Sequence, residues 1–280
     1  MGERSGVDWC DSSVNAIAGC DGCELWRPAR VEEPGATRRA DGSWWLEICY
    51  AGVATRNMVS NGPRAGWPAS FDRPQLFSGR IEAAARWKNL RGFKRESKPW
   101  LDLMPRVIFL NDMGDTFTAS LPLDWLAPFL PIMARSPHLW LILTKRPDRA
   151  AEFSQRHVLP SNVWIGTSIT SAQDARLRAL DRVLAALKFV SFEPVLAGAA
   201  MLIEQHPSIA WWIVGGGSGN SPGCEVSDIY DVVDACTRMS VPVFVKQDAA
   251  SRPGQQGRIR DDYWLKQFPW PWRVRDYPRA

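Results

Sequence analysis

The sequence predicts an α/β protein built on a parallel sheet, and three observations predict it. From Arg106 onward, six short apolar runs recur: RVIFLNDMGD, LWLILTKRP, NVWIGTSI, LKFVSFEPV, AWWIVGGGSG and VPVFVKQD. Runs of this length, apolar on both faces, suit parallel strands, because helices cover both sides of such a sheet. Their starts lie roughly 23 to 33 residues apart, which accommodates a strand, a crossover helix and two loops. The segments between them carry helical periodicity. Two closures satisfy this pattern: an open doubly wound sheet, or a full or partial (β/α) barrel. In both, chemistry gathers at the C-terminal ends of the strands.

The bulk numbers agree. A chain of 280 residues with 45% hydrophobic and 23% charged residues has the composition of a globular protein, which excludes extended disorder, collagen and coiled coil. No stretch approaches ~18 consecutive apolar residues, so a membrane-spanning helix is not expected. The N-terminus, MGERSGVDWCDSS, has no apolar h-region, and a cytoplasmic location is expected. In a reducing compartment, six cysteines point to metal, redox or core use rather than disulfides. The net charge of +4 permits a nucleic-acid partner without requiring one. Of the 34 cations, 27 are Arg, which reads either as phosphate and carboxylate recognition or as a coding bias.

Taken in order, 1–105 forms an irregular region with four of the cysteines and many Gly and Pro. Residues 27–42 read as a polar, exposed excursion, and 52–79 as breaker-rich chain without regular structure. Helical periodicity is visible over 81–90. Residues 106–250 hold the strand–helix units, and 251–280 is a tail. In 172–187, Leu177, Leu180, Val183, Leu184 and Leu187 share one face, with Ser171 as N-cap. In 227–239 the face is Ile229, Val232, Val233, Cys236 and Met239. Residues 122–135 are less regular, because Pro128 and Pro131 interrupt them.

The strand-end rule converts the pattern into candidate site residues: Asn111, Asp112, Asp115, Thr144, Lys145, Thr167, Ser168, Glu193, 215–218, Lys246 and Gln247. The second candidate centre is Cys20-Asp21-Gly22-Cys23, with Cys10 upstream and Cys49 downstream. Two thiolates on a tight turn can serve a zinc ion, an iron–sulfur cluster or a redox dithiol. Cys236 reads as core, and Cys224 sits in the GGGSGNSPGC loop.

Together, GCDGC…CYAG, VIFLNDMGD, LILTKRP, VWIGTSI, VSFEPVLAG, WWIVGGGSG and VFVKQD resemble a family of phage and bacterial proteins with a three-cysteine motif. That family is similar to radical S-adenosylmethionine enzymes of the spore photoproduct lyase type. The resemblance implies a single domain over 1–280, a partial (β/α) TIM-type barrel with the cluster loop after the first strand. It implies a [4Fe–4S] cluster on Cys20, Cys23 and Cys49. One iron left open would bind S-adenosylmethionine, whose reductive cleavage yields a 5′-deoxyadenosyl radical. Asn111, Asp112, Lys145 and Ser168 would face the methionine end and ribose. Glu193 and the turn containing Gly215 and Gly216 would face adenosine or substrate. The implied partners are a nucleic-acid base or nucleotide as substrate, an electron donor such as flavodoxin or ferredoxin, and a companion protein. Trp26, Trp44, Trp45, Trp67, Trp87 and Trp100 are candidate base-stacking residues.

The usual radical enzyme spacing is a compact CxxxCxxC, whereas roughly 25 residues separate Cys23 from Cys49 here. Loop-closure entropy grows slowly enough with length to allow this. The spacing leaves Cys10 open as a fourth ligand. The rival from a different class is a zinc-stapled nucleic-acid- or protein-binding module using Cys10, Cys20, Cys23 and Cys49. A third is a barrel hydrolase or aldolase with Lys145 or Lys246 as nucleophile.

Overall fold

The computed structural model describes residues 3–170, 175–217, 224–249 and 254–269. The chain opens with β1 (Ser12–Val14) and β2 (Ile17–Ala18), then β3 (Trp26–Pro28), β4 (Ala36–Arg38) and β5 (Trp44–Glu47). Helix α1 (Tyr50–Val59), β6 (Gln75–Leu76) and α2 (Arg80–Ala85) follow. The repeating part runs β7 (Val107–Leu110), α3 (Leu130–Arg135), β8 (Leu139–Thr144), α4 (Pro147–Arg156), β9 (Val163–Ile169), α5 (Ala175–Asp181) and β10 (Lys188–Phe192). It ends with α6 (Ala200–Gln205), β11 (Trp211–Val214), α7 (Val226–Arg238) and β12 (Val243–Val245).

Seven strands form one sheet in the order β1-β7-β8-β9-β10-β11-β12, every neighbouring pair parallel. The sheet curls into a half-barrel, in agreement with the predicted parallel (β/α) architecture. Each of the six apolar runs contains a strand. Alternation along them gives the main sheet two apolar faces. Outward residues such as Ile108, Trp140, Ile165, Val190 and Trp212 pack under the helices. Inward residues such as Phe109, Leu141, Trp164, Phe189, Trp211 and Phe244 form a second cluster inside the curl. Trp9, Cys10, Leu101 and Met104 join this inner cluster from outside the strands.

Several expectations need correction. The N-terminal region is not wholly irregular, because β1 is an edge strand of the main sheet, with Ser12 opposite Ile108 and Val14 opposite Leu110. Residues 27–42 are not a plain excursion: β3, β5 and β4 form a separate three-stranded antiparallel sheet. Residues 52–59 belong to α1. The helix expected over 172–187 is α5, which stops at Asp181, and the Lys188 ammonium donates to the Asp181 carbonyl at 2.9 Å. Leu184 therefore lies beyond the helix and is 62% exposed. The proposed N-cap Ser171 lies outside the described residues. Met239 ends past α7 and is partly exposed. In 122–135, a 3₁₀ turn over Leu123–Phe129 precedes α3, consistent with the two prolines.

No helix among the described residues is long and apolar enough to cross a membrane.

Candidate active site at the mouth of the half-barrel

The C-terminal ends of the strands open into a cavity of about 650 Å³, within the ~300–1,000 Å³ usual for small-molecule sites. Cys20, Cys23 and Cys49 all line it, as do Asn111, Asp112, Lys145, Ser168, Glu193 and Gly216. Gly215 does not. A side chain there would meet the Gln247 backbone at 2.8 Å, so its glycine is a packing requirement.

The cysteine loop follows β1 and the two-residue β2. Gly19 donates its N–H to the Met113 carbonyl (2.9 Å), and Cys20 donates to Phe71 (2.8 Å). Gly22 adopts φ +93° and its missing side chain leaves room for the Trp26 carbonyl, so this turn requires glycine. Asp21 pins the loop to the β7 side, accepting from Thr118 Oγ1 (2.6 Å) and the Ser120 N–H (2.8 Å).

The long spacing to Cys49 is explained by the three-stranded sheet. In the antiparallel pair β3–β5, Trp26 is opposite Glu47. Moving back from Trp26 to Cys23 therefore follows the partner strand forward from Glu47 to Cys49. Cys23 and Trp26 exchange backbone hydrogen bonds at 2.9 and 3.0 Å, and Cys49 donates to the Leu25 carbonyl at 3.0 Å. The inserted residues leave and return as a sheet, ending where they began. Cys49 is the N-cap of α1. Gly52, in the first turn, lies against the face of Trp26, where any side chain would collide with the ring.

Burial pushes all three thiols up. Cys20 reaches about 11, with Asp115 adding to burial and Arg146 opposing it. Cys23 and Cys49 rise for the same first reason, with Lys145 and nearby backbone N–H groups opposing. Cys10 is elsewhere. It is fully buried in the inner cluster, its thiol faces the Val7 carbonyl at 3.7 Å, and it does not line the cavity. Burial drives it to about 12. Cys236 is buried in the outer core and Cys224 beside it. The described cysteines are free thiols. Among the described residues, no group of three or more His, Cys, Asp or Glu converges as a single-ion site.

Lys145 emerges at the end of β8 as expected, but its ammonium is paired with Glu24 at 2.7 Å. Glu24, the residue after Cys23, also receives both terminal nitrogens of Arg176, at 3.0 and 2.6 Å. Burial raises the Glu24 carboxyl, but Arg176 and Lys145 outweigh it and hold the group well below the usual carboxylate range. Asp115 accepts from Thr144 Oγ1 (2.6 Å) and the Lys145 N–H (2.8 Å), fixing the end of β8. Thr167 is committed to the Thr144 carbonyl at 2.7 Å. Across the cavity, Glu193 accepts from Lys246 (2.7 Å) and Ser191 (3.1 Å). The structure thus gives the cationic groups of Lys145 and Lys246 partners.

Asn111 has a positioning role. With φ +66°, its side-chain oxygen accepts from the Ile17 N–H (2.8 Å) and its amide donates to Thr116 (2.9 Å), which ties β7 to the cysteine loop. Asp112 differs: its Oδ1 is buried without a hydrogen-bond partner, and burial raises its carboxyl. The exposed Tyr50 donates its hydroxyl to the Asp112 carbonyl.

Sequence reasoning missed Glu24, Arg146, Arg176 and the N-terminal wall, where Arg4, Ser5, Gly6, Val7 and Trp9 line the cavity. Lys98 holds that wall, donating to the Ser5, Val7 and Cys10 carbonyls at 2.6–2.8 Å. Of the candidate stacking residues, Trp26 is 3% exposed and packs on Phe71, and Trp100 packs on Phe244. Trp87 packs against the outer core. The Trp45 ring is covered by the Arg39 guanidinium at 3.5 Å. Trp44 and Trp67 are half-buried.

No curated protein and no solved structure matches the chain. A family of proteins of unknown function, DUF5131, matches residues 4–269, a span that contains the whole cavity wall, and the chain belongs to that family.

Proposed function

We propose that this protein is a radical S-adenosylmethionine-type enzyme in which Cys20, Cys23 and Cys49 hold a [4Fe–4S] cluster. One observation carries the reading: three cysteines separated by up to 29 positions line one cavity at the mouth of a parallel half-barrel, while Cys10 is in the inner core. Three cysteine ligands for four irons leave one iron open. A four-iron cluster takes one thiolate per iron, so its ligands need not converge as those of a single ion do. The position of Cys10, in the inner cluster and away from the cavity, weighs against the zinc module, whose four thiolates would have to meet.

The cavity also fits the second group. An amino-acid moiety presents a carboxylate that a cation can meet and an amine N–H that an acceptor can meet, and Lys145 and the unpartnered Asp112 oxygen are of those types. Lys145 would exchange Glu24 for the ligand, and Arg176 would keep Glu24 neutralised. When bound, the pair of cofactors supplies one-electron cleavage of a sulfonium. The polypeptide contributes a floor of packed aromatic side chains that excludes water.

For substrate we favour a nucleic-acid base or nucleotide. In the appended three-stranded sheet, exposed Arg38 lies opposite half-buried Trp44, which pairs a cation with an aromatic residue in register. The deciding experiment is anaerobic purification with iron and sulfide analysis. About four irons per chain and a reduced cluster signal altered by S-adenosylmethionine support the reading. One zinc and no iron would refute it.

A further inference from the structure

We propose that Arg146 tunes the reduction potential of the cluster, raising it by donating a charged hydrogen bond to the sulfur of Cys20. This rests on the functional reading above and adds a role for a residue outside the ligand set.

The guanidinium is fixed from several sides. The Arg146 N–H donates to Thr144 Oγ1 at 2.9 Å, which sets the backbone at the end of β8. Its Nη2 donates to the Gly22 carbonyl at 2.9 Å, inside the CDGC turn. Asp115 stands 3.9 Å from Nη1 and is itself held by Thr144 and Lys145. Nη1 then donates toward Cys20 Sγ at 3.6 Å. The side chain is only 18% exposed, so water screens little of this charge.

The three sulfurs are treated unequally. Cys23 receives a neutral backbone N–H, from Leu25 at 3.4 Å. Cys49 caps α1. Cys20 is the one given a guanidinium. Reduction adds one electron to the cluster and makes its thiolates more negative. A cationic donor therefore stabilises the reduced form more than the oxidised form, and the potential rises. The electron comes from an external reductant, and no bond to Arg146 forms or breaks.

The test compares reconstituted wild type, Arg146→Gln and Arg146→Lys under anaerobic conditions. Dithionite titration is followed by electron paramagnetic resonance, and iron and sulfide content reports loading independently. In Arg146→Gln with full iron, the reduction equilibrium is expected to shift at least tenfold toward the oxidised form. That is a fall of about 59 mV for one electron. Arg146→Lys, which keeps the charge without the fork, is expected to fall between. A fully loaded Arg146→Gln with the wild-type potential overturns the proposal. So does loss of iron from both variants, which would make Arg146 a brace for the CDGC turn. Wild type that takes up no iron fails the functional reading before any variant is compared, and the proposal falls with it.

Discussion

Glu24→Gln tests the charge network that joins the cysteine loop to the sheet. The substitution keeps the shape and removes the charge that pairs with Lys145 at 2.7 Å and Arg176 at 2.6 Å. Exposed ion pairs contribute ~0–1 kcal/mol, and breaking a buried pair costs ~3–5 kcal/mol. The Glu24 side chain is 36% exposed, so solvent screening places the loss between these limits, at about 1–2 kcal/mol. The pH dependence gives a second, independent check. In the folded protein Glu24 titrates well below its ordinary value of 4.5: burial opposes this, but the two cations prevail. A carboxylate lowered in the folded state contributes fully above the unfolded value, and the contribution is lost as pH falls below it. Each pH unit removes up to about 1.4 kcal/mol. Urea unfolding of wild type and Glu24→Gln should therefore show a gap at pH 7 that largely closes by pH 3.5. No gap at pH 7, or a gap of equal size at both values, refutes the argument.

Three further outcomes are expected. Cys20→Ala, Cys23→Ala and Cys49→Ala should each abolish iron retention, whereas Cys10→Ala, in the inner core, should retain it; iron and sulfide assays decide. Lys145→Ala should weaken S-adenosylmethionine binding by roughly ten- to a hundredfold, the value of one charge-assisted hydrogen bond, measured by titrating the reduced cluster signal. His138 is fully buried, and burial with the nearby Arg106 lowers it from 6.5 to about 4. The unfolded chain thus binds the extra proton first, and stability falls as pH drops from 6.5 toward 4. His138→Leu should remove about 3 kcal/mol of that acid sensitivity, seen as a flatter unfolding midpoint against pH.

The sheet was largely legible because its central strands are buried on both faces and carry unbroken apolar runs. β1 was not. It is three residues long, its sequence is SSV, and it lies at the sheet edge, so it presents no such run. The helical periodicity after β9 runs on past α5 because Val183 and Leu187 are buried like helical residues, though they lie on the approach to β10. At the site, Lys145, Ser168 and Glu193 could be reached from strand ends alone. Cys49 could not, because its approach to Cys23 depends on strand pairing across the insertion. Glu24, Arg146 and Arg176 were hidden for a related reason. Each is an ordinary charged residue until the fold brings 24 beside 145 and 176, and 146 beside 20.

The location of the cavity follows from a change of side-chain type along the inner face. Residues two apart on a strand share a face. On β8 the inward row runs through Leu139, Leu141 and Leu143 and then reaches Lys145. On β9 it runs Trp164, Gly166, Ser168, and on β12 it passes from Phe244 to Lys246. Gly166 leaves space that the Phe189 ring occupies, so the apolar layer is continuous across neighbouring strands. Below this boundary, Trp9, Leu101 and Met104 fill the curl. Above it, the polar row borders open space. The cysteine loop enters at that level because β1 ends level with β7, Val14 opposite Leu110, and Asn111 holds Ile17 against the end of β7. The register of this edge strand, the element least visible in the sequence, therefore brings Cys20 and Cys23 into the cavity that Lys145 and Asp112 also line.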